Sequence, residues 1–588
     1  MKNIIVMLYF LHLVNTVSAQ NFQSFDLEAN TDANPRQMVQ IGNKVVFFAY
    51  TDALGEELYA FDNSTQSVSL LKDIYPGVQS STNGYTEYII FQNKIYFAAN
   101  DSVHGIELWV SDGTPNGTIL LKDIYSGQEN SYPGQFFIFN NQLYFTAQTF
   151  DEGHELWVTD GTSAGTQLLK DIEPGAGGSY PNSYCICNGW LYFKAFTNAN
   201  GLELWKTDGN SSNTMLIKDL TNDNQDGMGY SPFGPVCLNN LLIFVGQSTI
   251  GDQELWVSDG TASGTQLLKD IRLGTDGSYP SYFTLFNNHL YFTADNGING
   301  QELWKTDGTT SNTSLVNDIF PGSTGSYPFN LFVADSILLF AAESSNNNVE
   351  LWKTNGNETV MLKNIHPTAS SYPENFIAYN GKIFFSAEDA TNGKELFVTD
   401  GTTSGTMLFK NINTNMLAGS YPISFTIHDN KLFFIADIGP INNENYQLFV
   451  SDGTPSGTQM IAPQASNNPF NTFFFPFFLT STPYGLFFKS SFQPIGQFEL
   501  WRYYQQTTFI DKNSSVSSFH CYPNPYKNFI NCEADTNQEV EFYNLQGKLL
   551  FKTNIKQGLQ TIHLENYCEP IIIKNSEKSF IMLPEASK

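Results

Sequence analysis

Apolar and polar residues alternate in short runs along most of the chain, and the runs return at a fixed period. Leu143-Tyr144-Phe145-Thr146-Ala147 puts Leu143, Phe145 and Ala147 on one face by the two-residue repeat of a strand, yet both faces carry large apolar groups. Glu107-Leu108-Trp109-Val110-Ser111 leads into Asp112-Gly113 and then Thr118 to Ile124, which reads as strand, turn, strand. Nearly the same stretch begins again at Glu155, Glu203, Glu254, Glu302, Glu350 and Glu395, and in altered form at Glu57, Gln447 and Glu499. The ten leucines of this motif, Leu58 to Leu500, are spaced 45 to 52 residues apart.

Each period holds four strands. In the third unit they are Tyr132 to Phe139, Leu143 to Ala147, Glu155 to Thr159 and Gln167 to Ile172. A sheet apolar on both faces, repeated about every fifty residues, is the signature of a propeller blade packed between two neighbours. The expected fold is all-β: a large β-propeller of about ten four-stranded blades over residues 20–512, with two five-bladed propellers as the alternative. The unbroken period favours one ring. A second ring needs its own closure, and only Asn355-Gly356-Asn357-Glu358-Thr359, three residues shorter than its neighbours' turns, hints at one. Phe25-Asp26-Leu27 resembles an outermost strand, expected to close the ring or to add a fifth strand beside Thr507 to Ile510.

The longest regular connection runs from Lys-Asp-Ile to the next Ser-Tyr-Pro, as from Glu173 to Pro181. A crossover from an outermost strand to the next innermost one needs that length. Ser-Tyr-Pro therefore opens the innermost strand. Crossovers and second-to-third loops then share one face of the ring, and the Asn-Asn and Asp-Gly-Thr turns lie on the other.

The repeated Glu-Leu-Trp and Asp-Gly-Thr resemble the ELWxxDGT repeat family of exported bacterial proteins over about residues 34–512. That resemblance implies little about activity. After a linker at 513–520, residues 521–588 begin Cys521-Tyr522-Pro523-Asn524-Pro525 and carry Asn544-Leu545-Gln546-Gly547-Lys548, which reads as a small β-sandwich. This tail resembles the C-terminal sorting domain of type IX secretion cargo. It departs from that family where Cys568-Glu569-Pro570 stands in place of Gly-x-Tyr. The resemblance implies the type IX secretion machinery as a partner, an outer-surface or secreted location, and removal of the tail there.

Composition narrows the picture. Charged residues are 15% of the chain and aromatics another 15%, and the net charge is -28. Such acidity argues against nucleic acid and against an anionic membrane surface. Residues 1–19 read as a signal peptide, with Lys2, an apolar core from Ile4 to Val14, and Val17-Ser18-Ala19 before Gln20. That core is too short and interrupted to span a membrane, and no transmembrane segment follows. Of six cysteines, Cys185 and Cys187 read as core residues, and Cys521 with Cys532 is open to a bridge.

Motifs for nucleophilic, zinc or phosphate chemistry are missing, so no catalytic residue is assigned. The aspartates of Asp-Gly-Thr, such as Asp112 and Asp160, invite a calcium reading, but turn chemistry explains them. No cofactor is expected, with calcium left open. The tryptophans at 109, 157, 205, 256, 304, 352 and 501 read as blade packing.

The most divergent parts of the repeat are the second-to-third loops. Asp101, His104, Phe150, Asp151, Asn198, Asn200, Asn346 and Asn443 there combine amides, carboxylates and an aromatic, a chemistry suited to sugar hydroxyls or a protein surface. The expected function is a secreted or surface-exposed binding or adhesion scaffold for extracellular glycans or proteins. A structural matrix component and a propeller-type polysaccharide-active enzyme are the alternatives.

Overall fold

Strands form where aromatic and β-branched residues alternate, and they end at residues that accept a left-handed backbone. Asn140 and Asn141 turn the first strand of the third unit into the second with φ of 48° and 57°, and Asn287-Asn288 repeat the pair at 49° and 58°. Two successive positive φ values suit the tight hairpin turn that follows strand twist.

The structure, a computed structural model, describes residues 20–505 apart from 28–31, 83, 85, 230–232, 346–347, 416–418, 441–444, 463–473 and 493–496. Beyond these it describes 519–522, 529–534, 538–544, 549–556, 558–563, 571–574 and 579–582. The expected signal peptide and the segment Thr507 to Ile510 lie outside the described residues. Contacts divide the chain into two units, Met1–Gln506 and Thr507–Lys588.

The first unit is a ten-bladed β-propeller of four-stranded antiparallel sheets. Blade 3 is typical, with strands Gly134–Phe139, Gln142–Thr149, Gly153–Thr159 and Gln167–Lys170 in that order from the axis outward. Its first strand starts two residues later than the sequence suggests. Tyr132 sits at φ 47° and Pro133 has no N–H to give, so pairing begins at Gly134. Blade 10 takes Phe474–Thr482, Gly485–Phe492 and Phe498–Gln505, and borrows its outermost strand, Gln20–Phe25, from the other end of the propeller. The closing strand is thus a fourth, not a fifth, and of Phe25-Asp26-Leu27 only Phe25 lies in it, at its end.

Packing shows a single ring. Phe139, Leu156 and Val158 of blade 3 bury against Leu191, Phe193 and Trp205 of blade 4. Blade 5 packs on blade 6 through Leu255, Val257, Phe292 and Trp304, so no closure occurs halfway. Blade 7, with the shortened turn at Asn355, packs on both neighbours. The last interface joins Phe487 and Leu500 of blade 10 to Phe47 and Phe61 of blade 1. The motif tryptophans are buried, as expected. Lysines fasten the edges: Lys206 Nζ donates to the Gly260 carbonyl of the next blade at 2.7 Å, and Lys305 to that of Gly356 at 2.9 Å.

One covalent link was not expected. Cys187 of blade 4 is buried, as the sequence suggests, but it is disulfide-bonded to Cys237 of blade 5. Sequence spacing gives no sign of this, because the two cysteines meet only when consecutive innermost strands lie side by side. Cys185 is a free thiol.

The second unit holds a three-stranded and a four-stranded antiparallel sheet. In the former, Cys521 and Cys532 stand opposite each other in the backbone register.

Candidate functional site on the crossover face

In most blades a buried glutamate fixes where the crossover begins. Glu155, at the head of its strand, is fully buried, and its carboxylate accepts the N–H groups of Ile172 at 3.0 Å and Glu173 at 3.1 Å. The Ser179 hydroxyl, at the approach to blade 4, donates to it at 2.6 Å. Glu107 and Glu395 make the same three contacts. One carboxylate thus ties the end of an outermost strand to the start of the next blade, and these repeated glutamates serve the scaffold. Burial pushes Glu57, Glu107, Glu155, Glu395 and Glu499 up to about 7 and Glu203 up to about 8, outweighing the hydrogen bonds that act the other way.

The second-to-third loops rise on the same face and are shaped by their own side chains. Asp101 Oδ1 accepts the N–H groups of Val103 at 2.9 Å and His104 at 2.8 Å, and its Oδ2 lies 2.7 Å from His104 Nδ1. That contact raises the His104 pKa. Asn200 Nδ2 donates to Asp219 at 3.0 Å, and the Asn198 N–H donates to Glu173 at 2.9 Å. Phe150 is 73% exposed, with Asp151 beside it at the tip of its loop. The structure brings Asp101 to His104 and sets Phe150 and Asp151, then Asn198 and Asn200, in the loops of the next two blades. Each loop is bonded within its own blade or to the crossover leading into it, not gathered with the others round one cavity. Asn346 and Asn443 lie outside the described residues.

Polar loop residues and Phe150 were legible in the sequence; the aliphatic tips among them were not. Val78, Val103, Phe150, Ile250, Leu273 and Ile298 are each between 58% and 85% exposed, and all six sit in crossovers or second-to-third loops of this face. An isolated Val, Ile or Leu inside an Asn- and Asp-rich loop was the available signal.

The opposite face is built from turns. Asp160 Oδ1 takes both the N–H and the hydroxyl of Thr162, at 2.9 and 2.7 Å, and Asp259 does the same with Thr261 at 2.8 and 2.7 Å. The Thr162 contacts hold Asp160 below the usual carboxylate range. These aspartates act in turn chemistry. Among the described residues no group of three His, Cys, Asp or Glu side chains is placed to hold a metal ion, and no helix is long and apolar enough to cross a membrane.

Residues 520–569 match the secretion system C-terminal sorting domain. This type IX sorting tail assigns the chain to export, at the outer surface or in the medium. No curated protein matches the sequence. Among solved structures, a puromycin hydrolase is similar at 12% identity, covering 61% of this chain and 59% of its own, with a TM-score of 0.28. A prolyl endopeptidase is similar at 10% identity, covering 60% and 54%, with a TM-score of 0.31. The β-propeller domain of the Trilobed protease from Pyrococcus furiosus is similar at 8% identity, covering 58% and 97%, with a TM-score of 0.26. The chain spans about three-fifths of the puromycin hydrolase. At such scores the likeness says nothing of activity.

Proposed function

Taking export by the sorting tail as given, we propose that the protein is an extracellular binding or adhesion scaffold whose ligand, a glycan or a protein, docks on the crossover face. The observation that carries this reading is the set of six exposed apolar tips on that face, from Val78 to Ile298. Apolar side chains that the fold leaves in water, rimmed by amides and carboxylates, are the composition of an interaction surface. The loops that carry them are held by internal hydrogen bonds, so little order is lost on binding. The contact residues proposed on this surface are Asp101, His104, Phe150, Asp151, Asn198 and Asn200; Asn346 and Asn443, of the same sequence-derived set, lie outside the described residues.

The same tips favour a second reading, in which two copies of the chain bury them against each other and the protein is a matrix component. Light scattering across a concentration series separates the readings, since only the second requires self-association. For the first, the second-to-third loops are replaced by a short Asn-Gly turn and binding to extracellular glycans and proteins is measured. Loss of binding supports the scaffold reading. Binding that survives there and fails when the Asp-Gly-Thr turns are altered moves the site to the opposite face.

A further inference from the structure

Six blades open with the same residue in the same strained backbone. Tyr132, Tyr180, Tyr279, Tyr327, Tyr372 and Tyr421 each precede a proline at the head of an innermost strand, with φ between 43° and 50°. A bulky side chain is rare in that region, and strain of this kind persists where something else requires the residue. Core burial does not require it, because all six residues remain between 46% and 57% exposed. The backbone does not require it either. In blade 1 the position belongs to Asn34, which sits at φ 45° and donates its N–H to Phe498 as Tyr180 does to His154. Asn accepts this conformation far more easily than Tyr. The fold is therefore served by Asn, and six copies nonetheless expose a phenol ring.

Two of these rings, Tyr132 and Tyr180, stand beside a recess between their own blade and the one before. Tyr180, Pro181, His154, Thr146 and Gln135 line one of about 390 Å³. Tyr132, Pro133, Ile106, Ala98 and Glu87 line another of about 420 Å³. Every residue of the second set lies 48 positions before its counterpart in the first. The recess is thus a product of the repeat, rebuilt at the same register in consecutive blades.

The floors differ: beside Tyr180 the floor is polar and partly preordered, whereas beside Tyr132 Ile106 and Ala98 replace His154 and Thr146, and Thr82, Thr86 and Asn100 supply the polar groups. His154 Nε2 lies 3.0 Å from Thr146 Oγ1, and in blade 6 Gln301 Nε2 donates to the equivalent Thr293 Oγ1 at 3.0 Å. His154 also stacks on Tyr180 at 5.3 Å, and burial lowers its pKa, so it stays neutral at ordinary pH. An exposed aromatic face beside neutral amide, hydroxyl and imidazole groups matches a pyranose ring, whose C–H face stacks and whose hydroxyls exchange hydrogen bonds. The net charge of -28 disfavours polyanionic sugars.

We propose that these two tyrosine-lined recesses are sugar subsites, that the other blade-head tyrosines extend them round the inner rim of the crossover face, and that together they hold a neutral polysaccharide. The proposal rests on the reading of that face as the binding surface and names its ligand. Several weak subsites on one rigid ring gain by avidity toward a polymer of repeating sugars.

The test uses the full chain and a panel of neutral glucans, xylans, mannans and galactans, first arrayed and then titrated by calorimetry. Tyr180→Asn and Tyr327→Asn borrow the residue already used in blade 1, so their thermal midpoints should equal or exceed that of the parent. Each is expected to weaken binding roughly three- to tenfold, and a Tyr180→Asn/Tyr327→Asn/Tyr421→Asn variant more than about a hundredfold toward polymer. A parent that binds none of the panel, or tyrosine variants that bind like the parent, would overturn the proposal. Capture of a sugar-free protein that is lost on Phe150→Asp and Ile298→Asp but kept in the tyrosine variants would also overturn it, while leaving the wider reading of the face intact.

Discussion

The Ser179 hydroxyl donates to the carboxylate of Glu155 at 2.6 Å, joining the approach of one blade to the core of the blade before it. Two backbone amides share that carboxylate, so Glu155→Ala strands three buried donors. The loss expected is about 3 kcal/mol or more, at roughly 1–3 kcal/mol per unsatisfied group. Glu155→Gln keeps an acceptor, and Gln447 already occupies the position in blade 9, so a loss within about 1 kcal/mol is expected. Denaturant melts of the two variants distinguish them; equal losses would show that the acceptor is not what matters.

These glutamates also set a pH dependence. Burial raises their folded pKa from 4.5 to about 7, and to about 8 for Glu203, so the folded chain holds protons that the unfolded chain releases. Their contribution is therefore fully present below about pH 4.5 and is lost as pH rises through 7 to 8. The melting temperature is expected to fall between pH 5 and 8.5 at constant ionic strength. Self-repulsion at high net charge acts in the same direction, so a Glu155→Gln/Glu395→Gln variant is the control. It should flatten the slope in part, and an unchanged slope would show that these two carboxylates do not set it.

Trp256 fills the space between blades 4 and 5 and is 6% exposed. Trp256→Ala is expected to cost about 3–5 kcal/mol. Gly260, at φ 87°, leaves no room for a side chain: a Cβ there would stand 2.3 Å from the Tyr192 hydroxyl. Gly260→Val should destabilise through both the clash and the backbone. Variants that melt with the parent would refute these packing and turn roles.

The bond between Cys187 and Cys237 closes a loop with a sequence separation of 50. Replacing both by Ala is expected to cost about 3–4 kcal/mol. Reductant should lower the melting point of the parent and leave the variant unaffected. Peptide mapping without reductant should recover the two cysteines in one cross-linked fragment.

At the ring joint, Phe25→Asp places a charge among Phe61, Phe487 and Leu500. It is expected to open the ring and make residues 498–505 accessible to protease. Digestion no faster than in the parent would mean that the joint does not depend on this strand.

Fold was more legible than site, for a physical reason. Blade packing acts through side-chain periodicity, so the leucine spacing, the tryptophans and Phe25-Asp26-Leu27 all point to it directly. The tyrosines at the blade heads were read only as strand starts, because nothing in Ser-Tyr-Pro announces a left-handed φ. The glutamate's partners lie up to 24 residues away, and Cys237 lies 50 from Cys187, so neither contact can be seen without the three-dimensional path. Apart from Phe150, the apolar loop tips were passed over for the polar residues around them, since composition averages over a loop while exposure belongs to single residues.

The borrowed strand of blade 10 gives the molecule a clasp, and a clasp has an order of assembly. Nine interfaces form between blades adjacent in sequence, each as soon as its second blade exists. The tenth, between blade 10 and blade 1, waits for the whole array, as does the seating of the borrowed strand in blade 10, where the Leu27 N–H donates to Glu499, 472 residues away. Distance itself adds little free-energy cost, since loop entropy grows only with the logarithm of length, but it delays the encounter. Until then the nascent array is a curved stack with a bare sheet at each end, sticky toward its own kind. The joint that forms last is also where an opening ring would part first, so resistance to heat and protease outside the cell is governed by one strand of six residues.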